Sequence, residues 1–305
     1  LEGIKVSIPK IAVVGSLNMD LIVSVERMPL QGETLEGESI HYISGGKGAN
    51  QAVGCAKLGA AVTMVGAVGD DAFGKQILSD METYGVPVEH IAVLEKAPTG
   101  TATILHMPED NCIVIVPGAN GKVTAAYIDS KAELIREADV MIIQLEIPID
   151  AVERALIIAK EAGVKTILNP APAKRLSSEL LRLPSILTPN ETEFESLTGC
   201  ALDSDAKLAE AMRSWEQEYG NRLVITRGKA GVSYLQSGEL CTIPAPEVEV
   251  KDTTGAGDCF NAALSFALAS SWEWEDAVAF AVKAASVSVT KFGAQAGMPA
   301  LNELV

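Results

Sequence analysis

The run Asp252-Thr253-Thr254-Gly255-Ala256-Gly257-Asp258 sets small residues and a carboxylate directly ahead of a helix-compatible stretch, Cys259 to Leu268. Small residues opening a helix let backbone N–H groups approach an anion closely, and the helix dipole adds positive potential there. A carboxylate in the same turn, Asp258, could accept the proton of a hydroxyl that attacks phosphorus. Base and anion hole would then share one turn. Read alone, the segment equally suits a glycine-shaped loop in which Asp258 caps a helix.

Ser44-Gly45-Gly46-Lys47-Gly48-Ala49-Asn50 opens a second helix, Gln51 to Leu58. Its glycines leave backbone amides uncovered, while Lys47 and Asn50 offer a cation and an amide for sugar hydroxyls or a developing phosphate charge. A glycine turn carrying a solvated lysine is the plainer reading of this segment by itself. Gly15-Ser16-Leu17-Asn18-Met19-Asp20 follows the first strand. If the chain stays extended, Asn18 and Asp20 share a face and present an amide and a carboxylate to hydroxyls. The same pair also serves as local backbone caps.

Other strands end in polar residues: Glu146 after Val140 to Leu145, Asn190 with Glu193 after Ile186 to Leu187, and Thr226-Arg227-Gly228 after Leu223 to Ile225. A carboxylate such as Glu193 near phosphates acts by organising Mg²⁺ and its waters, since bare carboxylate and phosphate repel. Gly69 to Lys75 has the spacing of a phosphate-binding loop, yet Gln76 replaces the hydroxyl that would hold Mg²⁺ and two aspartates would face the phosphates. It is read as no nucleotide site. No dinucleotide fingerprint occurs, and His41, His90 and His106 form no metal pattern.

Positioning these groups falls to alternating strands and helices. Ile11 to Val14, Val62 to Val65, Val140 to Gln144 and Thr166 to Leu168 are strand-like; Ala49 to Leu58, Phe73 to Tyr84 and Ala151 to Ala162 are helix-like. That rhythm implies a parallel sheet covered by helices, with ligands at the carboxyl ends of its strands. Met19 to Ile43 and Thr101 to Val116 alternate polar and apolar residues without helices between, with a hairpin turn at Pro108 to Asn111. They predict a small antiparallel sheet standing off the core, serving as a lid, a dimerisation surface or an ordinary edge hairpin.

The 305 residues carry 24 Lys and Arg against 40 Asp and Glu, a net charge of −16 spread along the chain. This argues against nucleic-acid or anionic-membrane partners. Cys55, Cys112, Cys200, Cys241 and Cys259 stand singly, which favours a reducing compartment over disulfides or zinc. No run approaches the roughly 18 apolar residues of a membrane span, and the first ten residues lack signal-peptide order. The chain begins at Leu1, so a trimmed transit segment is open, and the expected location is soluble: cytoplasm or plastid stroma.

Taken in order, GSLNMD, GGKGAN, Asn190 to Glu193, TRG and DTTGAGD resemble the ribokinase (PfkB) family of sugar and nucleoside kinases, from about Ile11 to the end. GGKGANQA with NPAPA at Asn169 to Ala173 is closer to the ribose-specific branch than to fructokinases or adenosine kinases. The resemblance implies a single α/β domain over 10–305, a Rossmann-like three-layer αβα core with a β lid from about 18–44 and 100–117. It also implies a homodimer through that lid, ATP with Mg²⁺, K⁺ as activator, and phosphorylation of D-ribose at its C5 hydroxyl. By resemblance Asn18, Asp20, Gly46, Lys47, Asn50 and Glu146 hold the sugar, Asp258 is the base, and amides of Gly255, Ala256 and Gly257 form the anion hole. Asn190 and Glu193 lie near phosphates and Mg²⁺, and Thr226, Arg227, Gly228, Lys229, Ala230 and Gly231 border the nucleotide. The monovalent cation falls to Asp252, Thr254, Ser288, Lys291 and Gly293, with Gly297 where some members supply a hydroxyl. Val282 occupies a stretch where members often place a polar residue near adenine. Two alternatives stay open: a family kinase for deoxyribose, another sugar or a nucleoside, and a silent sugar binder, which should have lost the base or the anion hole.

Overall fold

The computed structural model describes residues 8–108 and 111–304. In chain order the elements begin β1 (Lys10–Val14), β2 (Asn18–Ser24), β3 (Ser39–Gly45), α1 (Lys47–Lys57), β4 (Ala61–Gly69), α2 (Ala72–Thr83), β5 (Ile91–Leu94), β6 (Gly100–His106) and β7 (Asn111–Val116). The middle holds α3 (Ala125–Ser130), α4 (Ala132–Arg136), β8 (Val140–Ile143), α5 (Ile149–Glu161), β9 (Lys165–Leu168), α6 (Ser178–Leu181), β10 (Ile186–Leu187), α7 (Glu191–Thr198), α8 (Asp205–Tyr219) and β11 (Arg222–Thr226). The chain ends through β12 (Val232–Gln236), β13 (Glu239–Ile243), α9 (Ala256–Ala269), α10 (Trp274–Ser288) and α11 (Ala294–Gly297).

One sheet takes the order β13-β12-β11-β10-β9-β8-β1-β4-β5, parallel except at the β11–β12 and β12–β13 pairs. Its central strands read as unbroken apolar runs because both faces are covered. Successive residues of β1 point to opposite sides: Ile11 and Val13 join the layer with α1, α9 and α10, while Ala12 and Val14 join the layer with α5 and α8. The result is the expected αβα sandwich. Helix starts are marked by short polar caps: Asp71 accepts from Gly74 N, and Ser204 from Lys207 N, each cap contributing about 1 kcal/mol. Among the described residues no helix is long and apolar enough to cross a membrane.

The second sheet has the order β3-β2-β6-β7. It differs from the expected antiparallel sheet in its central pair, since β2 and β6 run parallel. The reason is topological: β2 leaves the carboxyl end of β1 and β6 follows the carboxyl end of β5, so both depart from the same edge of the main sheet in one direction. β3 and β7 then return antiparallel. The tip of the hairpin expected at Pro108 to Asn111, residues 109–110, and the start of the chain examined for a signal peptide, residues 1–7, lie outside the described residues. The loop from Gly69 to Lys75 is a joint between β4, α2 and the second sheet. Asp71 accepts from Thr99 N at 2.8 Å and from Thr99 Oγ1 at 2.6 Å, just before β6.

Candidate active site

Asp258 sits in the first turn of α9 and is 6% exposed. Two consecutive side chains of α1 hold its carboxylate: Asn50 Nδ2 donates to Oδ2 at 2.9 Å, and Gln51 Nε2 to Oδ1 at 2.9 Å. The helices come close enough because the facing residues are small. A Cβ added at Gly54 would lie 2.6 Å from Ala262 Cβ. α1 starts at Gly46 with φ +89°, where a Cβ would meet Asn18 N at 2.8 Å. Glycine is therefore required both by conformation and by the approach of the β1–β2 turn.

Beside Asp258 lies a ring of charge. Glu146 Oε2 accepts from Ser16 Oγ at 2.5 Å and from Lys47 N at 3.1 Å. Asp20 lies against Gly45, whose added Cβ would fall 2.3 Å from Oδ2. Burial, reinforced by the negative charges of Glu146 and Asp258, pushes the Asp20 carboxyl up to about 7, with Lys47 opposing. Burial by itself would depress Lys47, but the carboxylates of Asp258, Glu146, Glu193 and Asp20 outweigh it and hold the ammonium above its ordinary value. Asp20, Lys47 and Glu146, three of the residues expected around a sugar, thus lie within electrostatic reach of one another and of Asp258. Asn18 Oδ1 accepts from Asn120 Nδ2 at 2.8 Å, and Asn120 also braces the Leu17 N–H and carbonyl. The Asn18 amide thus lies at the same strand end as Asp20, held from behind.

The start of α9 forms the other side. Gly255 adopts φ +78° and no side chain caps the helix. Ala256 N donates to Thr253 O at 3.2 Å, whereas among the described residues Gly255 N and Gly257 N carry no such turn bond. Nothing lies within 4 Å of a Cβ added at Gly257, so the approach to this turn is open. An uncapped, glycine-lined helix start of this kind can receive phosphate oxygens.

Asn190 and Thr226 are bridged at the carboxyl ends of β10 and β11, which sets the two expected nucleotide segments side by side. Asn190 and Glu193 form a reciprocal capping box on α7. Burial raises the Glu193 carboxyl, partly offset by its bond from the Asn190 N–H and by Lys47. Arg227 is committed to protein partners, pairing with Glu191 at 3.0 Å and Asp205 at 2.9 Å. Gly228, Lys229 and Ala230 make a short turn, and Gly231 packs under Ile243 O. Val282 is buried in the apolar layer and presents nothing polar to a nucleotide. Among the described residues no group of three His, Cys, Asp or Glu is placed to hold a metal.

The six positions expected around a monovalent cation are gathered. Asp252 accepts from Thr254 N at 2.9 Å and from Gly293 N at 2.8 Å. A Cβ at Gly297 would lie 3.0 Å from Ser288 O and 3.7 Å from Lys291 O, so both carbonyls face that position. Neutral main-chain oxygens of this sort fit a large monovalent ion.

Sequence reasoning missed the amides behind Asp258. Gln51 Oε1 accepts from Gln144 Nε2 at 2.6 Å, Gln51 Nε2 reaches Asn169 Oδ1 at 3.3 Å, and Gln295 Nε2 donates to Asn50 Oδ1 at 3.2 Å. The available signal was a glutamine ending an otherwise apolar buried strand, at Gln144, and another directly after Asn50.

Residues 8–301 match the defining pattern of the pfkB family carbohydrate kinases. The chain is 43% identical to the ribokinase of Bacillus subtilis over 96% of its own length and 97% of that protein, and 35% identical to the deoxyribokinase of Salmonella typhi over 96% of each. It superposes on Arabidopsis thaliana ribokinase complexed with ribose and ATP with a TM-score of 0.91, at 34% identity and 97% coverage of both chains. With Asp258 at an open helix start and the cluster of charged side chains beside it, this chain belongs to the pfkB family of carbohydrate kinases.

Proposed function

We propose that the chain transfers the γ-phosphoryl group of ATP to the C5 hydroxyl of D-ribose, forming ribose 5-phosphate. The observation that carries this reading is Asp258, held through both oxygens at the start of a helix whose first turn is bare. Asn18, Asp20, Gly46, Lys47, Asn50 and Glu146 would hold the sugar hydroxyls, and Asp258 would take the C5 hydroxyl proton. N–H groups of Gly255, Ala256 and Gly257 would receive the charge of the transferring phosphoryl group; Ala256 N would first give up its turn bond to Thr253. Asn190 and Glu193, with Thr226 to Gly231, would border the nucleotide. Mg²⁺, when bound with ATP, supplies charge neutralisation on the phosphate oxygens. Asp252, Thr254, Ser288, Lys291, Gly293 and the position of Gly297 would hold K⁺ beside the anion hole and add positive potential there.

The exposed apolar side chains of the small sheet, among them Tyr42, Ile113, Val114 and Val116, support a homodimer closed through the lids. Free thiols at all five cysteines suit a reducing compartment. Register supports the lid role as well: Asp20, Ala102 and Ile115 are cross-strand neighbours, so their shared face overlooks the sugar hollow.

The test is ATP turnover with Mg²⁺ against ribose, deoxyribose, fructose and adenosine, each against a sugar-free blank, in K⁺ and again in a large organic cation. Ribose-dependent turnover that falls in the organic cation is expected. Turnover with another acceptor only would reassign the hollow, and equal rates in both salts would remove the K⁺ site.

A further inference from the structure

Gln51 and Gln144 are fully buried, and neither is exposed toward the sugar hollow. Their amides run in one direction. Gln144 Nε2 donates to Gln51 Oε1, which obliges Gln51 to turn its own NH₂ group toward Asp258 Oδ1. A flipped Gln51 would instead set a carbonyl oxygen against the carboxylate. The arrangement leaves a cost in plain view: Gln144 Oε1 is buried without a hydrogen-bond partner. It occupies the space that Gly15 leaves, where an added Cβ would lie 2.1 Å from it. An apolar side chain at 144 would remove that orphaned acceptor but leave the buried Gln51 Oε1 without its donor, so the glutamine at 144 and the direction of Gln51 go together.

The two oxygens of Asp258 are held on different terms. Oδ2 is held by Asn50, a residue assigned above to the sugar, whereas Oδ1 is held by Gln51 from inside the core. We propose that Gln51, oriented by Gln144, is a positioning residue that keeps Oδ1 occupied, so that Oδ2 is the oxygen that takes the proton. On sugar entry Oδ2 exchanges the Asn50 amide for the attacking hydroxyl. The hydroxyl proton passes to Oδ2 as the sugar oxygen bonds to the γ-phosphorus and the bond from that phosphorus to the bridging oxygen of ADP breaks. The inference rests on Asp258 being the base.

The experiment is single-turnover phosphorylation of ribose by the full chain, with steady-state KM for ribose and ATP, for wild type, Gln51→Met, Gln144→Met and Asp258→Asn, with thermal melts of each. Gln51→Met is expected to lower the rate on the order of tenfold, part of the ~10²–10⁴ that general-base catalysis supplies. KM for ribose and ATP should stay within about twofold, as for an interaction that matters in the transition state only. Gln144→Met, which does not touch Asp258, should lower the rate by less, again with both KM values little changed. Melting temperatures that fall while the single-turnover rate at saturation stays put in both variants would overturn the proposal. If Gln51→Met does not fold, an unchanged rate in Gln144→Met overturns it alone. Near-normal turnover by Asp258→Asn would instead remove the base itself, a different failure from an inert Gln51 beside a required Asp258.

Discussion

The floor of the candidate site and the second sheet, its proposed lid, start from the same edge of the main sheet, yet they are held on opposite terms. On the floor, Ser16, Asn50, Gln51 and Asp258 are all buried and bonded to groups on other elements. On the lid, every residue of β7 is exposed or half-exposed, Val114 to 59%, and the strand has a neighbour on one side only. The lid is tied down chiefly at its base, by Asp71 to Thr99 and by Ser44 Oγ to Asp80 at 2.6 Å. Groups that must not reorganise during reaction are locked into the core, while coverage falls to an element with few buried contacts.

If that contrast is right, damage to the floor should strike the rate of chemistry and damage to the lid should strike closure and assembly. The largest effect is expected from Asp258→Asn: turnover falls by ~10²–10⁴ while ribose and ATP still bind, measured by steady-state rates alongside calorimetric titration. Retained turnover would break the comparison at its centre. Gly257→Val comes next. An added Cβ there meets no protein atom within 4 Å, so the melting temperature should hold while the branched side chain crowds the approach to the N–H groups and KM for ATP rises on the order of tenfold, about the worth of one weakened charged hydrogen bond. A large loss of stability would show that the turn is not open.

Carboxylates on both faces of β7, Val114→Asp with Ile115→Asp, should convert the proposed dimer to monomer in sedimentation and raise KM for ribose, with the single-turnover rate at saturation little changed. An unchanged sedimentation profile would detach the exposed apolar strand from assembly. The smallest effect concerns Asp20. Its carboxyl, up to about 7 in the folded chain against 3.8 in the unfolded one, binds more proton when folded, so stability falls as pH rises between those values. Asp20→Asn removes that loss. Melting temperatures of wild type should drop a few degrees more than those of Asp20→Asn between about pH 5 and pH 8, at the expense of ribose affinity in the variant. Parallel curves would show that the ring of charge is relaxed by solvent.

GSLNMD, GGKGAN and DTTGAGD were legible in the chain because each answers a local demand. A helix start that admits an anion needs residues without side chains, and a turn pressed against another turn needs glycine, as at Gly46 and Gly255. The αβα layers were legible for a similar reason, since strands covered on both faces must read as apolar runs. Asn190 and Glu193 show where local reading runs short: the same pair that suits a phosphate site also closes a capping box.

What the sequence determined by itself is the kind of chemistry and the sheet that carries it, because glycine, carboxylate and apolar patterns act over a few residues. Tertiary structure alone decided how the Asp258 carboxylate is held. Asp258 meets Gln51 across 207 positions, and Gln295 meets Asn50 across 245. It also decided that the lid's central strands run parallel, since their direction is inherited from where β1 and β5 end. An amide's direction depends on which donor the fold delivers to it, and no periodicity along the chain records that.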